Sequence, residues 1–231
     1  SGNLKHITQS SLRDLHSHSK TGYISSTYVI LSIRSFINEH KLPETIHLIA
    51  REANRMQRIT NDLLTLARNE KSEQLELMPI VLEECIRESV VLLQQQLNEK
   101  QINLQMQVED AWIVAGDEQK LKQVFINVLE NAITYSKTND LIKLTVSQHE
   151  QYAHVQFQDF GIGISQEDLP HITDRFYRVN KARSRSDGGS GLGLSIVSQI
   201  IEQHQGELMI ESALNQGTIV HVYIPIWEED V

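Results

Sequence analysis

Two asparagines in the middle of the 231-residue chain could bind a metal ion that also carries phosphates. Asn127 and Asn131 are four residues apart in a segment with helical periodicity, so their side chains lie on one face of the predicted helix. Oxygen ligands of this kind suit Mg²⁺ that is held partly by phosphate groups. The same pair is also compatible with the polar face of an ordinary helix. The spacing therefore leaves two interpretations, a magnesium site and a solvated helix face.

A carboxylate and two glycines follow a segment that alternates apolar and polar residues. They lie in the stretch Asp159-Phe160-Gly161-Ile162-Gly163. A carboxylate at the end of a strand can accept a hydrogen bond from an exocyclic amine, and glycines allow a planar base to approach the backbone. Taken alone, such a stretch is more often a simple turn.

A run of glycines precedes the last predicted helix, in the stretch Gly188-Gly189-Ser190-Gly191-Leu192-Gly193. Glycine permits positive φ angles, and the free N–H groups at a helix N-terminus can hold phosphate. The spacing differs from that of a P-loop, and the run does not follow a strand as a dinucleotide-binding turn does. The pattern predicts a phosphate-binding loop and argues against those two nucleotide folds.

A basic segment lies between the two glycine-rich stretches. Residues 175–185 hold five of the twelve lysines and arginines in residues 71–231. A solvated charged loop is the usual explanation for such a run. Its position between two glycine-rich turns favours a lid that gathers polyphosphate.

Two predicted helices in residues 3–70 precede these segments. Apolar and small residues recur at intervals of three and four, first over residues 12–37 and then over residues 46–66, and Pro43 is well placed to open the second helix. A short connection makes the helices antiparallel neighbours. Because two helices leave half of each apolar stripe uncovered, we expect a homodimer that closes a four-helix bundle. The alternative is that the stripe packs on the rest of the same chain.

The remainder of the chain mixes strands with helices, which predicts an α/β sandwich with helices on one face of a mixed sheet. The predicted fold class is therefore α+β, with a helical hairpin in residues 3–71 and the sandwich in residues 72–231. Predicted strands cover residues 78–82, 102–108, 142–149, 153–159, 207–213 and 218–224. One predicted helix follows the first strand, and two more cover residues 117–136 and 191–205.

The charge balance limits the partners of the chain. Its net charge of −9 argues against nucleic acid or an anionic membrane surface as the main partner. Residues 1–70 carry 9 − 6 = +3 and residues 71–231 carry 12 − 24 = −12. The single cysteine excludes a disulfide framework and fits a reducing compartment. No apolar run approaches the roughly 18 residues that a membrane span needs.

In this order and spacing, the four segments resemble the N, G1, F and G2 boxes of bacterial sensor histidine kinases. The resemblance covers nearly all of residues 75–226 and implies the ATP-binding fold shared with gyrase, Hsp90 and MutL, with ATP and Mg²⁺ as cofactors. One departure from the family pattern is Thr134, where a basic residue usually precedes Tyr135.

The resemblance also implies roles for individual residues. Asn131 would bind Mg²⁺, Asn127 would contact phosphate or metal, and Asp159 would read the adenine. Gly161 and Gly163 would shape the pocket floor, and Tyr135 would flank the nucleotide. Arg178 and Lys181 would belong to the lid. The loop that wraps the phosphates would consist of Gly189, Gly191, Leu192 and Gly193.

The helical hairpin resembles the family's dimerisation and phosphotransfer domain, whose first helix should carry H-E-x-R-T-P-L. The chain has Leu15-His16-Ser17-His18-Ser19-Lys20-Thr21-Gly22 instead. One register places His18 at the acceptor position, and another places Ser17 there. We predict that His18 is the acceptor, with His16 or a degenerate motif as alternatives. The other eight histidines are interpreted as ordinary surface or strand positions.

The resemblance implies an ATP-dependent histidine kinase that phosphorylates itself and passes the phosphoryl group to an aspartate on a response regulator receiver domain. It also implies the cytoplasmic portion of a membrane-anchored bacterial sensor, which meets the membrane only through segments outside these residues. One alternative is an ATP-binding regulator or phosphatase with a degenerate acceptor. A gyrase- or Hsp90-type ATPase is disfavoured because Asn127 stands where those enzymes have a carboxylate.

Overall fold

A computed structural model of the chain describes residues 77–179 and 190–228 throughout, and eleven positions between residues 46 and 64, all of them helical. The chain divides into two compact units, Ser1–Met56 and Gln57–Val231. The predicted first hairpin helix, with His16 and His18, lies outside the described residues. The predicted domain boundary near residue 72 stays a prediction.

The second unit contains the predicted alternation of strands and helices. In chain order its elements are β1 (Met78–Val81), α1 (Leu82–Glu99), β2 (Asn103–Val108), β3 (Ile113–Gly116), α2 (Glu118–Tyr135), β4 (Leu141–His149), β5 (Tyr152–Asp159), a 3₁₀ turn (Leu169–His171), α3 (Gly193–Gln203), β6 (Glu207–Ala213) and β7 (Gly217–Pro225). Every predicted strand and helix in residues 78–224 is present, with ends that differ by two residues or fewer wherever both ends were predicted. Among the helices that the structure describes, none combines the length and hydropathy needed to span a membrane.

The main sheet has five strands in the order β2-β4-β5-β7-β6. Strand β2 runs parallel to β4, and the other neighbours are antiparallel. Alternate residues of the three central strands, such as Leu144, Val155 and Val222, are buried in one core with the apolar faces of the helices. This arrangement confirms the predicted α/β sandwich with a mixed sheet.

A second, two-stranded sheet was not predicted. Strand β3 pairs with β1 in antiparallel register, from Met78 opposite Gly116 to Val81 opposite Ile113. The four residues of β3 are too few to show a strand period, and their partners lie more than thirty positions earlier in the chain. Sequence periodicity therefore could not identify this strand.

Helices α2 and α3 lie side by side in opposite directions. Near the start of α2, the Lys120 ammonium donates a hydrogen bond to Gln203 Oε1 at the end of α3, with a distance of 3.0 Å. Further along α2, the Asn127 amide donates to the carbonyl of Gly193 at the start of α3, at 3.3 Å. These contacts set the position of α2 relative to α3.

One histidine has a structural role that the sequence interpretation missed. His204 at the end of α3 is 0% exposed, and its Nε2 accepts a hydrogen bond from the backbone N–H of Asp117, at 3.0 Å. Its Nδ1 lies 2.7 Å from the carbonyl oxygen of Ile200, which identifies Nδ1 as the protonated nitrogen. Burial lowers the pKa of His204. The interpretation of the remaining histidines as surface or strand positions is therefore wrong for His204.

Four of the other histidines lie where they were expected, in strands or at the surface, and three lie outside the described residues. The four are His149, His154, His171 and His221. On the sheet face away from the helices, His154 Nε2 lies 2.9 Å from His221 Nδ1 and its ring stacks on Tyr223.

Candidate functional site

A buried carboxylate lies at the end of β5. Asp159 is 7% exposed, and its Oδ1 accepts a hydrogen bond of 2.9 Å from the backbone N–H of Gly161. Burial raises the pKa of this carboxyl group, and hydrogen bonds from the backbone N–H groups of Gly161 and Thr218 oppose that rise. The carboxylate is thus a fixed hydrogen-bond acceptor in a largely desolvated place, which is suited to pairing with a neutral donor such as an amine on a planar base.

The two glycines after Asp159 allow other parts of the backbone to approach. A Cβ atom on Gly161 would lie 2.3 Å from the carbonyl oxygen of Tyr135 at the end of α2. Gly163 has φ of +64°, and a Cβ there would lie 1.9 Å from the carbonyl oxygen of Ala213 in β6. The expected approach of a base to these glycines stays a prediction. In the structure, the loop after Asp159 packs tightly between the end of α2 and the β6–β7 turn.

Backbone hydrogen bonds hold the same loop on both sides. The N–H of Ile162 donates to the Tyr135 carbonyl at 3.2 Å, and the N–H of Asn215 donates to the Ile162 carbonyl at 2.7 Å. The side chains of Tyr135 and Phe160 are 48% and 37% exposed. Two exposed aromatic rings therefore belong to the segments that meet beside Asp159.

Asn127 and Asn131 are both partly buried on α2. The Asn127 amide contacts Gly193, so the structure brings the predicted metal-binding face of α2 to the glycine run. No cluster of three or more His, Cys, Asp or Glu side chains suited to a metal occurs in the part of the chain that the structure describes. On this face of α2, a Mg²⁺ ion would be held by amide oxygens together with phosphates of the nucleotide. The paired asparagines fit that donor set.

The described part of the glycine run packs against the segment around Phe176. Gly191 has φ of +74°, and its carbonyl accepts a hydrogen bond of 2.9 Å from the Phe176 N–H. Leu192 is fully buried, and its N–H donates to Ser190 Oγ at 3.2 Å. Ser190 Oγ in turn donates to Asp62 Oδ2 at 2.8 Å. Gly189 lies outside the described residues.

The basic segment is described as far as Val179, so Lys181 also lies outside. Arg178 is partly buried, and its Cγ would lie 3.1 Å from a Cβ atom on Gly191. The neighbouring Tyr177 donates a hydrogen bond from its hydroxyl to Asp168 Oδ1, at 2.6 Å. Hydrogen bonds from Ser165 and Tyr177 lower the pKa of Asp168. Sequence reasoning did not find this anchor, because an isolated aspartate nine residues before a tyrosine carries no recognisable pattern.

Residues 116–228 match the family described as histidine kinase-, DNA gyrase B- and HSP90-like ATPase. The sensor histidine kinase RppB of Synechocystis sp. is 35% identical over 187 residues, which are 79% of this chain and 40% of RppB. The chain thus spans about two fifths of the length of this relative.

Solved structures show the same likeness. The catalytic domain of the histidine kinase ThkA, in a nucleotide-free form, is 30% identical and superposes with a TM-score of 0.58 over 65% of this chain and 98% of that domain. A structure of ThkA in complex with the response regulator protein TrrA is 25% identical, with a TM-score of 0.68 over 96% of this chain and 63% of that chain. Together with the fold and the order of the four segments, these matches show that the chain belongs to the sensor histidine kinases and carries their ATP-binding domain.

Proposed function

We propose that the chain is an ATP-dependent protein histidine kinase that phosphorylates His18 on its own helical hairpin, residues 3–71, through the catalytic domain in residues 72–231. The observation that carries the proposal is that α2 contacts both the loop after Asp159 and the start of the glycine run. The loop after Asp159 packs on the end of α2, and Asn127 contacts the start of the glycine run. A base acceptor and a phosphate-binding helix N-terminus thus belong to one continuous arrangement.

In the proposed reaction, an imidazole nitrogen of the acceptor histidine attacks the γ-phosphorus of ATP. The bond to the oxygen that bridges the β- and γ-phosphates breaks, ADP leaves with the bond electrons, and the ring becomes a phosphohistidine. The imidazole must be neutral to attack, and histidine is mostly neutral near pH 7. Catalysis of such a transfer is chiefly positioning and neutralisation of charge.

The described residues supply this positioning from several elements. The buried Asp159 would accept a hydrogen bond from the exocyclic amine of adenine, and Tyr135 would lie beside the base. Backbone N–H groups at the start of α3 would bind phosphate oxygens, helped by the positive end of the helix dipole. Asn131 would hold Mg²⁺, and Asn127 one turn earlier would contact phosphate or the metal. The ion would neutralise phosphate charge when bound. Arg178 and Lys181 would add cations from the lid.

The proposed partners are a second copy of the chain and a response regulator receiver domain. Among the described helical positions of the first unit, the side chains of Ile46, Ile49 and Met56 are 56%, 37% and 53% exposed, which supports burial against a second copy. The likeness to ThkA in its complex with TrrA supports a response regulator as the recipient of the phosphoryl group. The excess of positive charge in residues 1–70 suits the acidic active site of a receiver.

Phosphopeptide mapping tests the acceptor assignment. The intact chain is incubated with γ-labelled ATP and analysed under alkaline conditions that preserve phosphohistidine. We expect label on the peptide containing His18, loss of label in His18→Gln, and retention in the matched variant His16→Gln. Label that disappears only in His16→Gln would move the acceptor to His16.

The second candidate is an ATP-binding regulator without kinase activity, or a phosphatase. The departure of residues 15–22 from the family's acceptor motif favours it. Intact ATP binding by calorimetry with no phosphohistidine in the mapping experiment would establish it in place of the kinase.

A further inference from the structure

The end of α2 lacks a cation of its own. Helix carbonyl groups in the last turn have no partner within the helix and carry the negative end of the helix dipole, so lysine or arginine is favoured there. No basic residue occurs in the last turn of α2, which ends at Tyr135. This is the turn that follows Asn131.

Lys100, from a different element, fills that role. It is the residue directly after α1, and its ammonium group donates three hydrogen bonds to backbone carbonyls at the end of α2. The acceptors are the carbonyl oxygens of Ile133 at 2.8 Å, Thr134 at 2.7 Å and Ser136 at 3.0 Å. An ammonium has three N–H donors, and three charge-assisted hydrogen bonds on one turn hold it firmly.

The carbonyl that Lys100 leaves out is the one that the site uses. The Tyr135 carbonyl lies between those of Thr134 and Ser136, and it accepts the hydrogen bond from the Ile162 N–H in the loop after Asp159. The end of α2 is therefore held by Lys100 through three carbonyls and by the loop through the fourth. Lys100 is also tied to the segment after α2, because its own carbonyl accepts a hydrogen bond of 3.0 Å from the Asn139 N–H.

We propose that Lys100 is a positioning residue for nucleotide binding, which fixes the last turn of α2 so that Asn131, Tyr135 and the loop after Asp159 keep the arrangement that receives the nucleotide. The expected effect of Lys100 on nucleotide affinity rests on the proposed function. The geometric part, the dependence of the Tyr135–Ile162 contact on Lys100, stands without a nucleotide.

Four variants of the full chain test the proposal, two at Lys100 and two controls. Lys100→Met removes the ammonium group but keeps an unbranched stem of similar shape, and Lys100→Arg keeps the charge with a planar fork that cannot reproduce three divergent bonds. Lys137→Met removes an equal charge from an exposed position two residues past α2. Leu97→Ala, a truncation of a buried side chain on α1, serves as a variant of lowered stability with Lys100 intact.

The first measurement needs no nucleotide. Amide hydrogen exchange is followed at Ile162, with amides of the β6–β7 pair as internal references. We expect exchange at Ile162 to be at least about tenfold faster in Lys100→Met, less accelerated in Lys100→Arg, and unchanged in Lys137→Met. Equal exchange at Ile162 in the wild type and Lys100→Met would overturn the proposal.

The second measurement is calorimetric affinity for a non-hydrolysable ATP analogue, at a temperature at which every variant is folded. We expect binding to be about tenfold weaker in Lys100→Met, partly rescued in Lys100→Arg, and near the wild-type value in Leu97→Ala and Lys137→Met. Equal losses in Leu97→Ala and Lys100→Met would reduce Lys100 to a general contributor to stability and overturn the proposal. A wild-type chain that binds no nucleotide would contradict the proposed function instead, while the exchange at Ile162 would still decide whether Lys100 positions the loop.

Discussion

The carbonyl oxygen of Tyr135 lies 2.3 Å from the position that a Cβ atom on Gly161 would occupy. The last residue of α2 and the loop after β5 are therefore in contact through backbone atoms alone, with no room for a side chain between them. The same loop holds Asp159 and the same helix holds Asn131. This contact consequently joins the two parts of the proposed nucleotide site, and it accounts for the glycine at position 161.

We expect Gly161→Ala to destabilise the protein by about 2–3 kcal/mol, because the added methyl group must separate the loop from α2. Gly193→Ala is the matched control. The nearest atom to a Cβ on Gly193 is Asn127 Cγ at 3.9 Å, so the methyl group fits at the start of α3. Urea denaturation gives the free energies of unfolding. Equal free energies of unfolding for the two variants would mean that the loop can move away from α2 without loss of stability.

Asp159→Asn is expected to weaken nucleotide binding without lowering the stability of the protein. Replacing the acceptor by an amide should weaken binding of an ATP analogue at pH 7.5 by at least about 100-fold, because the amide presents N–H groups to the donor on the base. Since burial raises the pKa of Asp159 in the folded state, folding favours its protonated form, and the stability linked to this group is lost as the pH rises through the folded pKa. The ionised carboxylate therefore costs stability at pH 7.5, and the variant should unfold at no lower urea concentration than the wild type.

Asp110→Asn, at an exposed position in the β2–β3 connection, is the control for Asp159→Asn and should change neither property. Calorimetry and urea denaturation at one pH provide both comparisons. Micromolar affinity retained in Asp159→Asn would end the assignment of this residue to the base.

His204 should make the protein less stable in mild acid. Burial lowers the pKa of His204, so folding favours the neutral ring. The stability that this group contributes is therefore present above the unfolded-state pKa of about 6.5 and is lost as the pH falls below that value. Protonation would also remove the acceptor for the Asp117 N–H. The charged neighbours that act on the ring are Asp117, which opposes the lowering, and Lys120, which adds to it.

We expect His204→Gln to be about 1–2 kcal/mol less stable than the wild type at pH 7.5 but to lose less stability between pH 7 and pH 5. His154 also has a pKa lowered by burial, so His154→Gln should remove a separate part of the pH dependence. Urea midpoints at several pH values give the slopes. Parallel curves for the wild type and His204→Gln would show that His204 does not titrate in this range.

Cys85 is expected to resist thiol reagents in the folded protein. It is 2% exposed on α1, and burial raises the pKa of its thiol to about 12. Because the thiolate is the reactive form, the native chain should react with a disulfide reagent only through unfolding. Absorbance measured across a urea titration should show labelling that follows the unfolding transition. Complete labelling within minutes in buffer would show that α1 opens locally.

Much of the fold could be predicted from local pattern. The 3.6-residue period of α2 and the alternation in β4, β5 and β7 are strong signals because each element buries one face in the same core. Strand β3 was missed because its four residues become a strand only by pairing with β1. The glycines at positions 161 and 163 were noticed, but the sequence could not show that their close neighbours are the backbones of Tyr135 and Ala213.

The sequence by itself determined the family and the order of the four segments, and it predicted the roles of Asp159 and the paired asparagines, since these depend on residue type at fixed local spacing. Only the tertiary structure identified Lys100 and His204. Lys100 lies 34 residues from Thr134 and the ring of His204 lies 87 residues from Asp117 along the chain, and neither residue belongs to a motif. Contacts between distant residues depend on how helices pack and where they end. A sequence read one element at a time carries no signal for which lysine reaches which carbonyl.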